Sequence, residues 1–103
     1  MLKKILIANR GEIACRIIKT AKKLGIKTVS VCSEPDVNSP HVSMADEYIN
    51  IGGHTSAESY LKIDKIIDAV KKTNSEAVHP GYGFLSENVN FRDEVQKIGK
   101  IFI

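Results

Sequence analysis

Short apolar runs of strand length alternate with longer segments of helical apolar spacing along the whole chain, and this alternation limits the fold more than any other feature. Lys4-Ile5-Leu6-Ile7-Ala8 is almost continuously apolar, the pattern of a strand covered on both faces. In the next segment Ile13, Ala14, Ile17, Ile18, Ala21 and Leu24 share one side of a helix, and Gly25 supplies its stop. Asn9 is placed to cap that helix, with Glu12 three residues on to reach back. Thr28-Val29-Ser30-Val31-Cys32 reads as a second strand, and Ser39-Pro40 opens a short helix through Ala45. Tyr48-Ile49-Asn50-Ile51 reads as a third strand, ended by Gly52-Gly53. Ile63, Ile66, Ile67 and Val70 keep the i, i+3, i+4, i+7 spacing of the next helix, and Ala77-Val78-His79 follows as a fourth strand. Phe91, Val95 and Ile98 mark a last helix closed by Gly99, and Ile101-Phe102-Ile103 begins a fifth strand.

Such alternation implies βαβ units, whose right-handed crossovers build an open parallel α/β sheet with helices on both faces. Ligands in such sheets gather at the carboxyl ends of the strands, near the point where strand order reverses. The segments predicted at that edge are Asn9-Arg10-Gly11, Ser33 to Asp36, Gly52 to Ser56 and His79 to Phe84.

A chain of 103 residues, 43% hydrophobic and 26% charged, suits one small domain and argues against disorder. No apolar run approaches the ~20 residues of a membrane span, and the apolar part of Met1 to Ile5 is too short for a secretory signal. Cys15 and Cys32 have no CxxC spacing, so they read as buried small hydrophobes in a reducing compartment rather than as nucleophiles or ligands. A soluble intracellular domain is expected, and the apolar strand at the end suggests one domain of a longer chain. Charge is unevenly placed: residues 1–27 carry eight basic side chains against Glu12 alone, and the remainder is net negative. No aromatic residue stands among the lysines of the first helix to stack on bases. They read as a solvated or subunit-contact face, with attraction of anionic substrates as the lesser alternative; neither nucleic acid nor membrane is expected as a partner.

The loop after the first strand has Gly11 alone in place of G-x-G-x-x-G, which argues against a dinucleotide, and no P-loop is present. A phosphoacceptor receiver would need acidic residues where Asn9-Arg10 and Gly52-Gly53 stand. His41, His54 and His79 have no acidic or cysteine partner at ligand spacing, so no metal site is predicted. The informative stretch is His79-Pro80-Gly81-Tyr82-Gly83-Phe84-Leu85-Ser86-Glu87-Asn88. In one reading it is a strand-to-helix turn whose aromatics pack locally, with Ser86 or Asn88 capping the next helix. In the other, Tyr82 and the Gly83 backbone form a platform for a flat, partly polar ligand. His79 reads as a core hydrogen-bonding histidine or a general base, and Glu87 as a helix-start charge or a contact to a partner domain.

The runs Lys4 to Ala14 and His79 to Asn88 together resemble the amino-terminal domain of biotin carboxylase, as found in acyl-CoA and pyruvate carboxylases. The likeness extends through Gly25 to Val29, Met44 to Glu47 and Ser59 to Leu61, and so covers essentially the whole chain. Ile13 to Ile18 and Lys71 to Val78 most resemble propionyl-CoA carboxylase α chains. The resemblance implies a Rossmann-like domain at residues 1–103, preceding an ATP-grasp and a carboxy-terminal domain that this chain does not contain. It implies that ATP activates bicarbonate to carboxyphosphate, and that the CO2 released carboxylates the ureido nitrogen of biotin. The cofactors so implied are biotin, ATP and Mg, the last two held outside these residues along with the catalytic groups. A biotin carboxyl carrier, a carboxyltransferase and a second copy in a homodimer are the implied partners. Tyr82 and Gly83 match positions lining the biotin pocket, and Arg16 matches a position near the subunit interface. His79, Glu87 and Asn88 match positions that hold the loop against a neighbouring domain. Lys19 and Lys23 stand where family members often have Arg and Glu, so bidentate pairing is lost at one position and a charge reversed at the other. The alternatives are the first domain of another ATP-grasp ligase and a non-catalytic scaffold module. A cytoplasmic location is expected, or the mitochondrial matrix if a transit peptide has been trimmed.

Overall fold

A computed structural model describes residues 2–103; Met1, where the signal-peptide reading begins, lies outside them. Five strands form one parallel sheet: β1 (Lys4–Ile7), β2 (Lys27–Cys32), β3 (Glu47–Asn50), β4 (Ala77–His79) and β5 (Ile101–Phe102). Four α-helices connect them: α1 (Gly11–Lys23), α2 (Pro40–Met44), α3 (Ile63–Thr73) and α4 (Val89–Lys97), with a one-turn 3-10 helix at Glu34–Asp36. The spatial order β3-β2-β1-β4-β5 reverses direction between β1 and β4. Crossovers on the two sides of that point run over opposite faces, so the loops leaving β1 and β4 part there and open a crevice.

Alternation along each strand divides the core. Leu6, Ala8, Val29, Val31 and Val78 face α3 and α4, where they pack with Ile66, Val70, Phe91 and Val95. Ile5, Ile7 and Ala77 face the other way, against Ala14, Ile18 and Ala21 of α1. Between β2 and α2 lie buried polar side chains, all hydrogen-bonded except for the Nδ1 of His41, which has no partner among the described residues. Ser30 Oγ donates to the His41 carbonyl at 2.6 Å, and His41 Nε2 lies 3.0 Å from the Val31 carbonyl.

The predicted elements are present, with shifts of a residue at several ends. The Asn9 cap is a correction. Arg10 occupies the N-cap position of α1 without a side-chain cap bond, because the Asn9 amide is committed to the loop after β4. Glu12 is an exposed first-turn acid. Cys32 is buried as expected, but Cys15 is only half-buried.

Candidate functional site

The loops after β1 and β4 meet where strand order reverses. Ladder pairing continues one residue past β1, with Ala8 N–H donating to the His79 carbonyl at 2.9 Å. Asn9 then takes over. Its buried Nδ2 donates to the carbonyls of Pro80 (2.8 Å) and Tyr82 (2.9 Å), and its Oδ1 accepts from the Arg10 N–H at 2.8 Å. Gly81 lies between the two acceptors at φ +67°, and a Cβ there would stand 2.7 Å from Asn9 Nδ2. The half-buried His79 ring bends back, its Nδ1 accepting from the Gly81 N–H at 3.1 Å, and burial lowers its pKa.

The turn leaves Tyr82 outside. The residue is 74% exposed at the carboxyl rim of the sheet, and Gly83 beside it has open space where a Cβ would point. Phe84 goes the other way. With φ at +42°, a left-handed value unusual for a non-glycine residue, it brings its ring to 5.5 Å from that of buried Tyr60. The aromatics thus divide, Phe84 packing locally while Tyr82 does not.

Tyr60 leads to a polar cluster that local patterns do not reveal. Its hydroxyl donates to Asp36 Oδ2 at 2.7 Å and accepts from the Ser33 N–H at 3.2 Å. Arg10 engages both oxygens of Asp36, Nε to Oδ2 at 2.6 Å and Nη2 to Oδ1 at 2.9 Å. The planar fork matches a carboxylate well. The Arg10 guanidinium holds the Asp36 carboxyl well below the usual carboxylate range, overcoming burial, which acts in the opposite sense. Burial, aided by the bond to Asp36, pushes the Tyr60 phenol up to about 12, so it remains a donor.

Arg16 is exposed on α1 and lines an open groove of about 570 Å³ together with Tyr82, His79, Ile13, Ile17 and Ile103. The structure therefore brings Arg16, His79 and Tyr82 to one concavity. Asn88 caps α4, its Oδ1 accepting from the Phe91 N–H at 2.9 Å, and Glu87 just before it is exposed. Lys19, Lys22 and Lys23 are exposed on α1. Sequence reasoning placed Asn9, Arg10 and Asp36 at this edge but missed Asn9 as a clamp and the cluster that Arg10 and Asp36 form with Tyr60. The available signal was a polar Asn-Arg pair directly after an apolar strand, at an edge where ligands gather.

Among the described residues no group of three or more His, Cys, Asp or Glu side chains could hold a metal ion, and no helix is long and apolar enough to cross a membrane.

The family described as "Biotin carboxylase, N-terminal domain" matches residues 1–103. The chain is 63% identical over 100 residues to the mitochondrial propionyl-CoA carboxylase alpha chain of Caenorhabditis briggsae, covering 97% of this chain and 14% of that protein. Among solved structures it is similar to Kluyveromyces lactis urea carboxylase, with a TM-score of 0.97 and 54% identity over 98% of this chain and 9% of that one. It is also similar to the biotin carboxylase domain dimer of Hydrogenobacter thermophilus 2-oxoglutarate carboxylase, in complex with MgADP, ADP and bicarbonate. There the TM-score is 0.91 and the identity 46%, over 99% of this chain and 22% of that one.

Proposed function

The chain belongs to the biotin carboxylase N-terminal domain family, and from that premise we propose that Tyr82 and Gly83 form one wall of the biotin site of an ATP- and bicarbonate-dependent biotin carboxylase. The observation that carries this reading is Tyr82, a residue 74% exposed at the carboxyl rim of the sheet and beside the switch point. Biotin's fused rings present a flat ureido face and an apolar sulfur-containing face. An exposed aromatic ring with an unobstructed glycine next to it fits that shape. When biotin is bound, its ureido nitrogen is the group that takes up CO2. The residues of this chain orient it: Tyr82 by ring contact, and Gly83 by letting the backbone approach.

ATP and Mg²⁺ do not fit this rim. Arg10, the cation of the loop after β1, is engaged by Asp36, and the described residues offer no ligand cluster. Both are assigned to the rest of the enzyme, of which the chain spans 14% in its propionyl-CoA carboxylase relative. The groove between α1 and β5 is continuous with Tyr82 and gives the following domain of the same enzyme an apolar seat. Exposed Glu87 is a contact for that neighbour, and Asn88 and His79 hold the turn that presents Tyr82. The partners are a biotin carboxyl carrier and a carboxyltransferase. A second copy contacting Arg16 is the proposed dimer partner, in keeping with the domain dimer of the 2-oxoglutarate carboxylase. Similar domains occur in proteins named for propionyl-CoA, urea and 2-oxoglutarate, which supports placing acceptor choice outside this domain. The mitochondrial name of the propionyl-CoA carboxylase relative favours the matrix over the cytoplasm.

The test is Tyr82→Ala in the full-length carboxylase with free biotin as the varied substrate. Loss of one aromatic contact should raise the biotin KM about tenfold and leave the ATP KM unchanged. An unaltered biotin KM removes Tyr82 from the site.

A further inference from the structure

We propose that Asn9 and the Arg10–Asp36–Tyr60 cluster are positioning residues that fix the Tyr82–Gly83 turn from both ends, an inference that rests on the biotin-site reading above. The geometry is a closed ring of contacts. Asn9 holds the Tyr82 carbonyl, the next residue Arg10 grips Asp36, Asp36 accepts from Tyr60, and the Tyr60 ring seats Phe84. Phe84 returns through Gly83 to Tyr82.

Each link has a reason to exist beyond simple packing. The sheet does not bind the two loops to each other past Ala8 and His79, because strand order reverses there and the crossovers part. Asn9 spans that gap with both N–H donors of its side-chain amide, while the oxygen of the same amide accepts from the Arg10 N–H. The close approach exists because residue 81 lacks a Cβ. On the far side, Phe84 adopts a left-handed backbone that a non-glycine residue keeps only when its surroundings over-determine it. With Asp36 buried and Arg10 open to solvent on one side, the pair adds little stability, but its two parallel hydrogen bonds specify one arrangement. Here it fixes where the Tyr60 ring lies, and so where Phe84 must go. Between the two anchors only Tyr82 and Gly83 are left open to solvent. A ring held in place before its ligand arrives loses little further freedom on binding.

The experiment uses the full-length carboxylase with free biotin. Asn9→Ala should raise the biotin KM about tenfold, the effect of losing two hydrogen bonds to the turn, while the ATP KM stays within about twofold. The Asn9→Ala/Tyr82→Ala double variant should be no worse than Tyr82→Ala alone, since a positioning residue has nothing left to position. Tyr60→Phe keeps the ring against Phe84 but loses the bond to Asp36. It should raise the biotin KM by about threefold without changing the ATP KM, and it serves if Asn9→Ala does not fold. A raised biotin KM in Tyr82→Ala beside unchanged values in Asn9→Ala and Tyr60→Phe would overturn the positioning claim alone. So would additive losses in the double variant, or an ATP KM that rises with the biotin KM. An unchanged biotin KM in Tyr82→Ala overturns the site reading and the positioning claim together.

Discussion

Gly81 and Gly83 have nearly the same backbone conformation, at φ +67° and +72°, yet their surroundings differ. A Cβ on Gly83 meets open space, so Gly83→Ala carries only the left-handed strain, about 1 kcal/mol. A Cβ on Gly81 meets Asn9 Nδ2 at 2.7 Å and the Ile13 side chain at 2.9 Å. Gly81→Ala must therefore also break the clamp, and a loss of about 3 kcal/mol is expected. Urea midpoints of the two variants check the difference, and equal losses would mean that the turn yields freely. A second residue-scale prediction concerns His41, which α2 buries against β2, where burial depresses its pKa below 6.5. Folding then favours the neutral ring, so its contribution is complete above pH 6.5 and shrinks as pH falls through the lowered folded-state value. Across the ring, the Val31 carbonyl and Asp36 favour protonation while Arg10 opposes it, and desolvation outweighs them. Denaturation midpoints should fall as pH drops below 6.5. His41→Gln, which cannot titrate, should reduce that slope and leave the part that His79 contributes. Asp36 acts only at lower pH, since its depressed pKa keeps the pair with Arg10 intact until the solution is strongly acidic.

At the scale of an element, α4 shows how one side chain decides where a helix begins. The Asn88 side chain satisfies the Phe91 N–H, and three residues into the helix Phe91 is fully buried, edge-on to Phe102 of β5 at 5.6 Å. Asn88→Ala should cost about 1 kcal/mol, and Phe91→Ala about 3 to 5 kcal/mol through the cavity it leaves. Thermal melts that rank the two the other way would put the anchor of α4 in its cap rather than its core face. The same helix was legible in the sequence, because capping and apolar spacing are local: Asn88, Phe91 and Val95 lie within two turns of one another. So were the strands, whose apolar runs need no knowledge of their neighbours. Asn9 was misread by the same local logic. An Asn before an amphipathic segment satisfies the rule for a cap, and its true partners, Pro80 and Tyr82, lie 71 and 73 residues away. Arg10, Asp36 and Tyr60 are likewise separated by 26 and 24 residues, so only the folded sheet edge shows them as one cluster. Tyr82 stood out because two flanking glycines mark a turn that can expose a ring, a signal contained within three residues.

For the whole molecule, the asymmetry of the sheet edge governs what the chain can do alone. On the β3 side of the switch point, the loops bond chiefly to themselves: Asp36 is held by Arg10 and Tyr60, and the Glu58 carboxylate accepts from the N–H groups of His54 and Thr55. On the β5 side, Tyr82 opens onto an apolar groove bounded by Ile13, Ile17 and Ile103. One wall of a cleft supplies a ring face and little else, so few of the contacts that tight binding needs are available. Free biotin should therefore bind the 103-residue chain with a Kd of about 1 mM or weaker. In an NMR titration the shifts should concentrate at Tyr82, Gly83 and their neighbours. Micromolar binding would mean that the site is complete within this domain, and shifts centred on α3 would place the ligand elsewhere. The same asymmetry bears on turnover. With its loop cation paired and no ligand cluster for a magnesium nucleotide among the described residues, the chain should release no phosphate from ATP above background when given bicarbonate and biotin. Phosphate release by the chain alone would contradict the assignment of ATP chemistry to the remaining domains.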